Sequence, residues 1–197
     1  YVSKIQMWDD LLSAVKQIKD AGITPICMGG KDKWPVHFIW THLHIRNGGK
    51  ALFLESLNNG GWDRPEYIKS GEQMLELVAL DPFQKGWLAA TWPDQAGFFG
   101  DGKCAMAFMG NWMYGAQAAN SASGEGLGDD NMGMFNMPMT AGGLGNPGDT
   151  LGGINGWLFS SSAPDSAVEL MMHYVSKEIQ TEDASIGAYI PIVKGAD

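Results

Sequence analysis

Apolar residues recur along this chain in stretches of helical period, separated by short apolar runs that end in glycine. Trp8, Leu11, Leu12, Val15 and Ile18 fall on one helical face, with Asp9 and Asp10 at the start and Gly22 as the stop. The two aspartates read as partners of the helix dipole rather than as acids for catalysis. Ile23 to Met28 follows as a short strand closed by Gly29-Gly30. A second helix is expected from Trp34-Pro35, with Val36, Ile39, Trp40 and Leu43 as its core stripe and Gly48-Gly49 as its end. Asp63-Arg64-Pro65-Glu66 reads as a capping box opening a helix through Leu80, with Ile68, Leu75 and Val78 buried.

A short segment from Trp92 to Phe99 leads to a strand at Lys103–Met109 and helical character at Trp112–Asn120. A Gly/Ser-rich loop spans Ser121–Asp130, and a Met-rich strand is expected at Asn131–Pro138. Beyond the Gly/Pro loop Thr140–Thr150 the pattern predicts a strand at Gly153–Ser160 and a helix near Pro164–Ser176, with Ser162 or Ala163 near its cap. A shorter helix and a strand-like Tyr189–Val193 complete the chain. Alternating helices and strands define an α/β class. The Gly/Pro loop is the best internal boundary, dividing 1–150 from 151–197.

The 197 residues, 45% apolar, suffice for a core in one domain or two small lobes. The net charge is −9 and no Lys/Arg cluster stands out, which argues against a nucleic-acid or anionic-membrane surface. No apolar run reaches the roughly 18–20 residues of a membrane span. Cys27 and Cys104 each sit in an apolar, strand-like run and read as buried thiols, or as a disulfide if those strands are neighbours. Without a C-x-x-C, neither a zinc nor a redox site is expected.

Gly143-Leu144-Gly145-Asn146-Pro147-Gly148 matches the dinucleotide fingerprint formally, but Pro147 stands where helix-opening amides are needed and a strand is expected next. His37, His42 and His44 lack the i, i+4 spacing of a helical zinc pair, so no metal is assigned. His42 and His44 read as surface or packing residues, while His37 is a candidate hydrogen-bonding contact to ligand. Ser160-Ser161-Ser162 reads as capping material, and no G-x-S-x-G nucleophile elbow occurs. No cofactor is implied.

Eight tryptophans carry the remaining signal. Four adjoin polar or turn-forming residues: Lys33-Trp34-Pro35, Thr91-Trp92-Pro93-Asp94, Gly110-Asn111-Trp112 and Asn155-Gly156-Trp157. A sugar has a flat C–H face and a rim of hydroxyls, which an indole beside Asp, Asn or His satisfies. The candidate ligand-binding residues are therefore Trp34, His37, Trp92, Asp94, Asn111, Trp112, Gly153, Asn155 and Trp157. Trp8, Trp40, Trp62 and Trp87 are assigned to packing.

The ordered runs ITPICMGGKDKWPVHFIW, ATWPDQAGFFGDGKCAMAFMGNWM, DTLGGINGWLFS, AVELMMHYVSKEIQ and GAYIPIVKGAD resemble the carbohydrate-type extracellular solute-binding proteins of ABC importers. The most specific parts are F-x-x-G-x-x-A-M-x-x-x-G-x-W, at Phe99 to Trp112, and Gly152 to Trp157. The resemblance implies a type II periplasmic-binding-protein fold of two α/β lobes, with residues 1–150 as most of the second lobe. Residues 151–197 would return into the first lobe, incomplete. It places Trp112 as the stacking aromatic with Asn111 beside it, and Gly152 to Asn155 on the cleft floor. It implies a mono- or oligosaccharide ligand, an ABC permease partner and no catalysis. It further implies a periplasmic or cell-surface location, with membrane contact only through a lipid anchor or the permease. Relative to the family, the start of the first lobe and the closing helices are expected to be missing. A polyamine or peptide ligand, or a glycoside hydrolase with paired carboxylates, are the alternatives to sugar binding.

Overall fold

The computed structural model describes residues 4–153, 156–185 and 190–196. Among the described residues nine α-helices and β-strands follow one another: α1 (Trp8–Asp20), β1 (Thr24–Cys27), α2 (Trp34–Asn59), α3 (Pro65–Ala79), α4 (Trp92–Gly100), β2 (Cys104–Ala107), α5 (Met113–Asn120), α6 (Asp165–Tyr174) and α7 (Lys177–Ser185). The chain forms two compact units, one of residues 1–109 and 116–151, the other of 110–115 and 152–197.

In the larger unit, β1 and β2 pair in parallel, with Ile26 beside Met106. Cys27 and Cys104, both buried, are joined by a disulfide. The open alternative of the sequence thus resolves against free thiols, because the parallel pairing brings the two runs together. A single parallel bridge joins Phe83 to Ile26 of β1, and a separate one joins Met7 to Met139. The core gathers Trp8, Leu11 and Val15 of α1, Ile26 and Met28, Ile39 and Leu43 of α2, Leu77, Phe83 and Met137. At the start of α1, the Asp10 carboxylate accepts the N–H of Met7 at 2.8 Å and of Gln6 at 3.2 Å, as its dipole-facing position requires.

Gly48-Gly49 interrupts α2 rather than ending it. Gly49 takes φ 71°, ψ 169°, and the helix then resumes to Asn59. The break frees the carbonyls of Arg46 and Asn47, which accept the N–H groups of Gly145 (3.1 Å) and Leu144 (3.1 Å). A side chain at Gly143 or Gly145 would run into the carbonyls of Arg46 or Ile45. The loop that mimics a dinucleotide fingerprint is therefore a close-packed wrap around α2. Inside it lies Arg46, 1% exposed, donating to the carbonyls of Met137 (3.0 Å), Asn146 (3.0 Å), Asp149 (2.7 Å) and Pro147 (3.2 Å).

Three expectations change. α3 buries Tyr67, Ser70, Gln73 and Leu77, whereas Ile68 and Leu75 are 55% and 70% exposed and Val78 is also on the surface. The interface with α2 is partly polar, which counting apolar residues overlooks: Asn47 donates to Ser70 (2.9 Å) and Gln73 (2.7 Å), and Tyr67 to Ser56 (3.1 Å). Arg64, not Asp63, is the N-cap of α3, with no side-chain cap bond, and Pro65 fills the first helical position. The Met-rich segment 131–138 forms no strand, since Pro138 lacks an N–H and the Met137 carbonyl is taken by Arg46.

In the smaller unit, the described residues expected in a strand at 153–160 are irregular and exposed, with Leu158 98% accessible, as an apolar run without a partner strand must be. α6 begins after Pro164 without a side-chain cap, so neither Ser162 nor Ala163 caps it. Residues 190–193 are likewise irregular, and Tyr189 lies outside the described residues. Gln180 of α7 ties this segment down, accepting the N–H of Ile192 at 3.1 Å and donating to the Tyr174 carbonyl at 3.4 Å.

Candidate functional site

The carboxyl ends of parallel strands are where open α/β sheets place their ligands, because the chain leaves the sheet there in loops that open helices. Here two glutamines, Gln95 buried and Gln84 half-buried, define that edge. Gln95, fully buried on α4, accepts the N–H of Gly29 just past β1 at 2.8 Å and donates to the carbonyl of Phe108 just past β2 at 3.4 Å. Gln84 accepts the N–H of Met28 (2.9 Å) and donates to its carbonyl (2.7 Å). Gly29 and Gly30 admit no side chain: a Cβ would meet the Thr91 carbonyl or the Trp87 ring. This edge is a fixed floor.

On it stands an aromatic group. Trp34, first residue of α2, lies 5.5 Å from Trp92, first residue of α4, ring centre to ring centre, with the planes tilted by 55°. Phe38 packs edge-on to Trp34 at 5.4 Å, and His37 lies 5.0 Å from Phe38. Both indoles are partly exposed and His37 is on the surface, its Nδ1 2.8 Å from the Trp34 carbonyl. Next along α2, His42 meets the Phe108 ring edge-on at 5.1 Å. His42 Nδ1 is 2.8 Å from the Phe38 carbonyl, and Nε2 accepts the N–H of Leu151 at 3.4 Å, which fixes the neutral imidazole. Burial, and to a smaller degree Arg46 and His37, hold its pKa below the ordinary value.

Asp94 is exposed, and its Oδ2 accepts both the N–H and the hydroxyl of Thr91 at 2.7 Å, closing a capping box. These bonds, with Lys31 nearby, hold its carboxyl below the usual range. Its acceptor capacity is partly spent on the helix start. Of the sequence candidates, Trp34, His37, Trp92 and Asp94 thus come together in the larger unit.

Asn111, Trp112, Gly153 and Trp157 belong to the smaller unit. Trp112 is 43% exposed and folds back over Gly110, where any side chain would strike the indole. Asn111 is exposed, and Gly153 faces open space. Trp157 is 68% exposed and meets Tyr174 edge-on at 6.2 Å. Asn155 lies outside the described residues. Sequence reasoning missed Phe38, His42, Phe108 and Gln95, of which the i, i+4 pair Trp34–Phe38 was the available signal.

The tryptophans set aside for packing divide. Trp8 is buried and donates to Glu76 at 3.1 Å, and Trp87 packs on Phe83 at 4.8 Å. Trp40 and Trp62 are each 40% exposed and flank the fully buried His44, which stacks on Tyr67 at 4.3 Å. His44 Nδ1 sits 2.8 Å from the Trp40 carbonyl, its Nε2 has no partner, and burial lowers its pKa. Among the described residues no cluster of metal-ligating side chains occurs.

Residues 3–181 match the bacterial extracellular solute-binding protein family, and the chain belongs to that family of binding proteins. The chain superimposes with a TM-score of 0.85 and 26% identity on a protein described for xylan utilization by Caldanaerobius polysaccharolyticus, covering 98% of this chain and 49% of that one. It superimposes on a chitin oligosaccharide binding protein with a TM-score of 0.82 and 23% identity, covering 98% and 49%. An uncharacterized ABC transporter extracellular-binding protein of Pyrococcus horikoshii is 26% identical over 114 residues, 57% of this chain and 25% of that protein. The architecture is thus the helix-rich α/β fold of two-lobed solute-binding proteins, and the chain spans about half the length of the solved structures it matches.

Proposed function

We propose that the protein binds a sugar or oligosaccharide outside the cytoplasmic membrane and delivers it to an ABC-type permease, without catalysis. The observation that carries this reading is the partly exposed Trp34–Trp92 pair, backed by Phe38, on the rigid carboxyl edge of the parallel strands. Two tilted indoles offer apolar faces to pyranose C–H groups, and His37 and Asp94 stand at their rim for hydroxyls. The xylan- and chitin-related structural neighbours support the same ligand class. Asn111, Trp112, Gly153, Asn155 and Trp157 are proposed as further ligand contacts, the first two within residues 1–150 and the other three within the return segment. In this scheme residues 1–150 supply most of the second lobe and 151–197 part of the first. Lobe closure over the ligand would present the docking surface to the permease, with the protein held at the cell surface or in the periplasm.

The test is a thermal-shift and tryptophan-fluorescence titration of the protein with xylotriose, chitotriose and raffinose, with spermidine as the contrasting solute. A sugar is expected to raise the melting temperature and shift the emission. A response to spermidine alone would refute the carbohydrate reading. Trp92→Ala removes one stacking face, at about 2 kcal/mol or roughly 30-fold in Kd.

A further inference from the structure

We infer that Asp32 is the positioning residue of the aromatic platform, fixing the angle between the Trp34 and Trp92 indoles by holding the backbone at Trp92. The inference rests on the sugar-binding reading and goes beyond it by naming what orients the platform.

Trp34 and Trp92 open different helices, so no local sequence constraint relates their rings. The first turn of a helix leaves its N–H groups without internal partners. In α4, Pro93 has no N–H, and the N–H of Asp94 is taken by the Thr91 hydroxyl at 3.3 Å. Gln95 N–H already reaches the Thr91 carbonyl at 3.0 Å. That leaves the N–H of Trp92, and Asp32 Oδ2 accepts it at 2.6 Å. A carboxylate at this end of a helix also faces the favourable end of its dipole. Asp32 lies two residues before Trp34, so one side chain fixes the backbone under one indole while its own backbone leads into the other.

The lead-in is itself constrained. Gly30 N–H donates to the Trp87 carbonyl (2.8 Å) and Lys31 N–H to the Ala90 carbonyl (3.0 Å). Lys33 then takes a positive φ, 65° with ψ −42°, which turns the chain into α2 at Trp34. Such a backbone is unusual for a residue with a side chain and recurs where ligands are clamped. With Asp32 removed, the two backbone bonds still dock the loop. Only the backbone at Trp92, and with it the indole, loses its tether, while the Thr91–Asp94 capping box still holds the rest of the start of α4. Positioning and stability therefore separate.

Two indoles 5.5 Å apart and tilted by 55° couple their transition dipoles and produce an exciton couplet in circular dichroism without any ligand. Trp34→Phe and Trp92→Phe define that couplet as the signal each removes. Asp32→Ala is expected to lose more than half of it while melting within about 3 °C of the parent. Its affinity for whichever of xylotriose, chitotriose or raffinose the parent binds should fall about tenfold, the cost of a platform no longer preorganised. Asp32→Asn keeps an acceptor oxygen and should restore most of both signals. An Asp32→Ala couplet superimposable on the parent's would overturn the inference, as would a lost couplet with unchanged sugar affinity. If neither the parent nor Trp92→Phe binds any of the three sugars, the sugar reading itself falls, and the couplet alone then decides whether Asp32 sets the pair.

Discussion

Arg46 lets a strong expectation be worked from geometry. It is 1% exposed, and its guanidinium donates to four backbone carbonyls, those of Met137, Asn146, Pro147 and Asp149, at 2.7 to 3.2 Å. Burial pulls its pKa below that of a free guanidinium and Asp149 opposes the shift, yet an arginine stays charged in a protein. Arg46→Met keeps much of the stem volume and removes every donor. Each buried carbonyl left without a partner costs about 1–3 kcal/mol, but water and small shifts recover part of this. Breaking a buried charged network costs about 3–5 kcal/mol in comparable cases, and about 4 kcal/mol is a fair central value here.

For a chain of this size that corresponds to a fall of roughly 8–16 °C in melting temperature. Arg46→Lys keeps the charge but not the planar fork, and should recover about half of the loss. Thermal melts followed by circular dichroism measure the effect, and limited proteolysis locates it: new cuts should appear within 141–149. Because the site is buried, added salt should change the difference little. A melting temperature for Arg46→Met within about 2 °C of the parent would show that the backbone bonds of Leu144 and Gly145 and the close glycine packing hold the wrap without the guanidinium.

The disulfide closes a sequence separation of 77 residues, worth about 4–5 kcal/mol on loop-entropy grounds, so Cys27→Ser/Cys104→Ser should melt far below the parent. Both cysteines are buried, and thiol reagents added after reductant should find them only once the chain is unfolded. His42 and His44 both have pKa values lowered from 6.5 chiefly by burial, so the unfolded chain binds more protons than the folded one just below that pH. Their contribution is therefore intact above about pH 6.5 and is lost as the pH falls towards their folded values. Urea melts between pH 7.5 and 5 should show this decline, and His44→Phe should flatten it. An unchanged slope in His44→Phe would assign the acid sensitivity elsewhere.

The elements most legible in the sequence were those whose partners are apolar or local. α1 follows from a single stripe and a carboxylate at its start, and β1 from a run closed by two glycines. α3 was legible as a helix but not in orientation: its inner face carries Ser70 and Gln73 because Asn47 waits across the interface, and nothing in a stripe count announces that partner. Segment 131–138 reads as a strand by composition, yet its role is to supply the Met137 carbonyl to an arginine 91 residues earlier. Long-range polar pairing is the common cause of these departures.

The same cause sharpens the reading of the aromatic platform. Tryptophan beside proline and aspartate marked the loops at Trp34 and Trp92, and the structure sets those indoles 5.5 Å apart. The polar neighbours that drew attention to them have a second occupation, however. Asp94 caps α4 through Thr91, and Asp32 takes the N–H that the cap and Pro93 leave over. Both carboxylates nearest the indoles are thus engaged in building a helix start, and a sugar hydroxyl would have to share them. In the proposed sugar site, recognition would consequently lean on the rings themselves and on His37, whose exposed imidazole holds Nδ1 against the Trp34 carbonyl. A residue pattern of Trp-Pro-Asp therefore reports where a platform is built more directly than it reports which polar atoms meet the ligand.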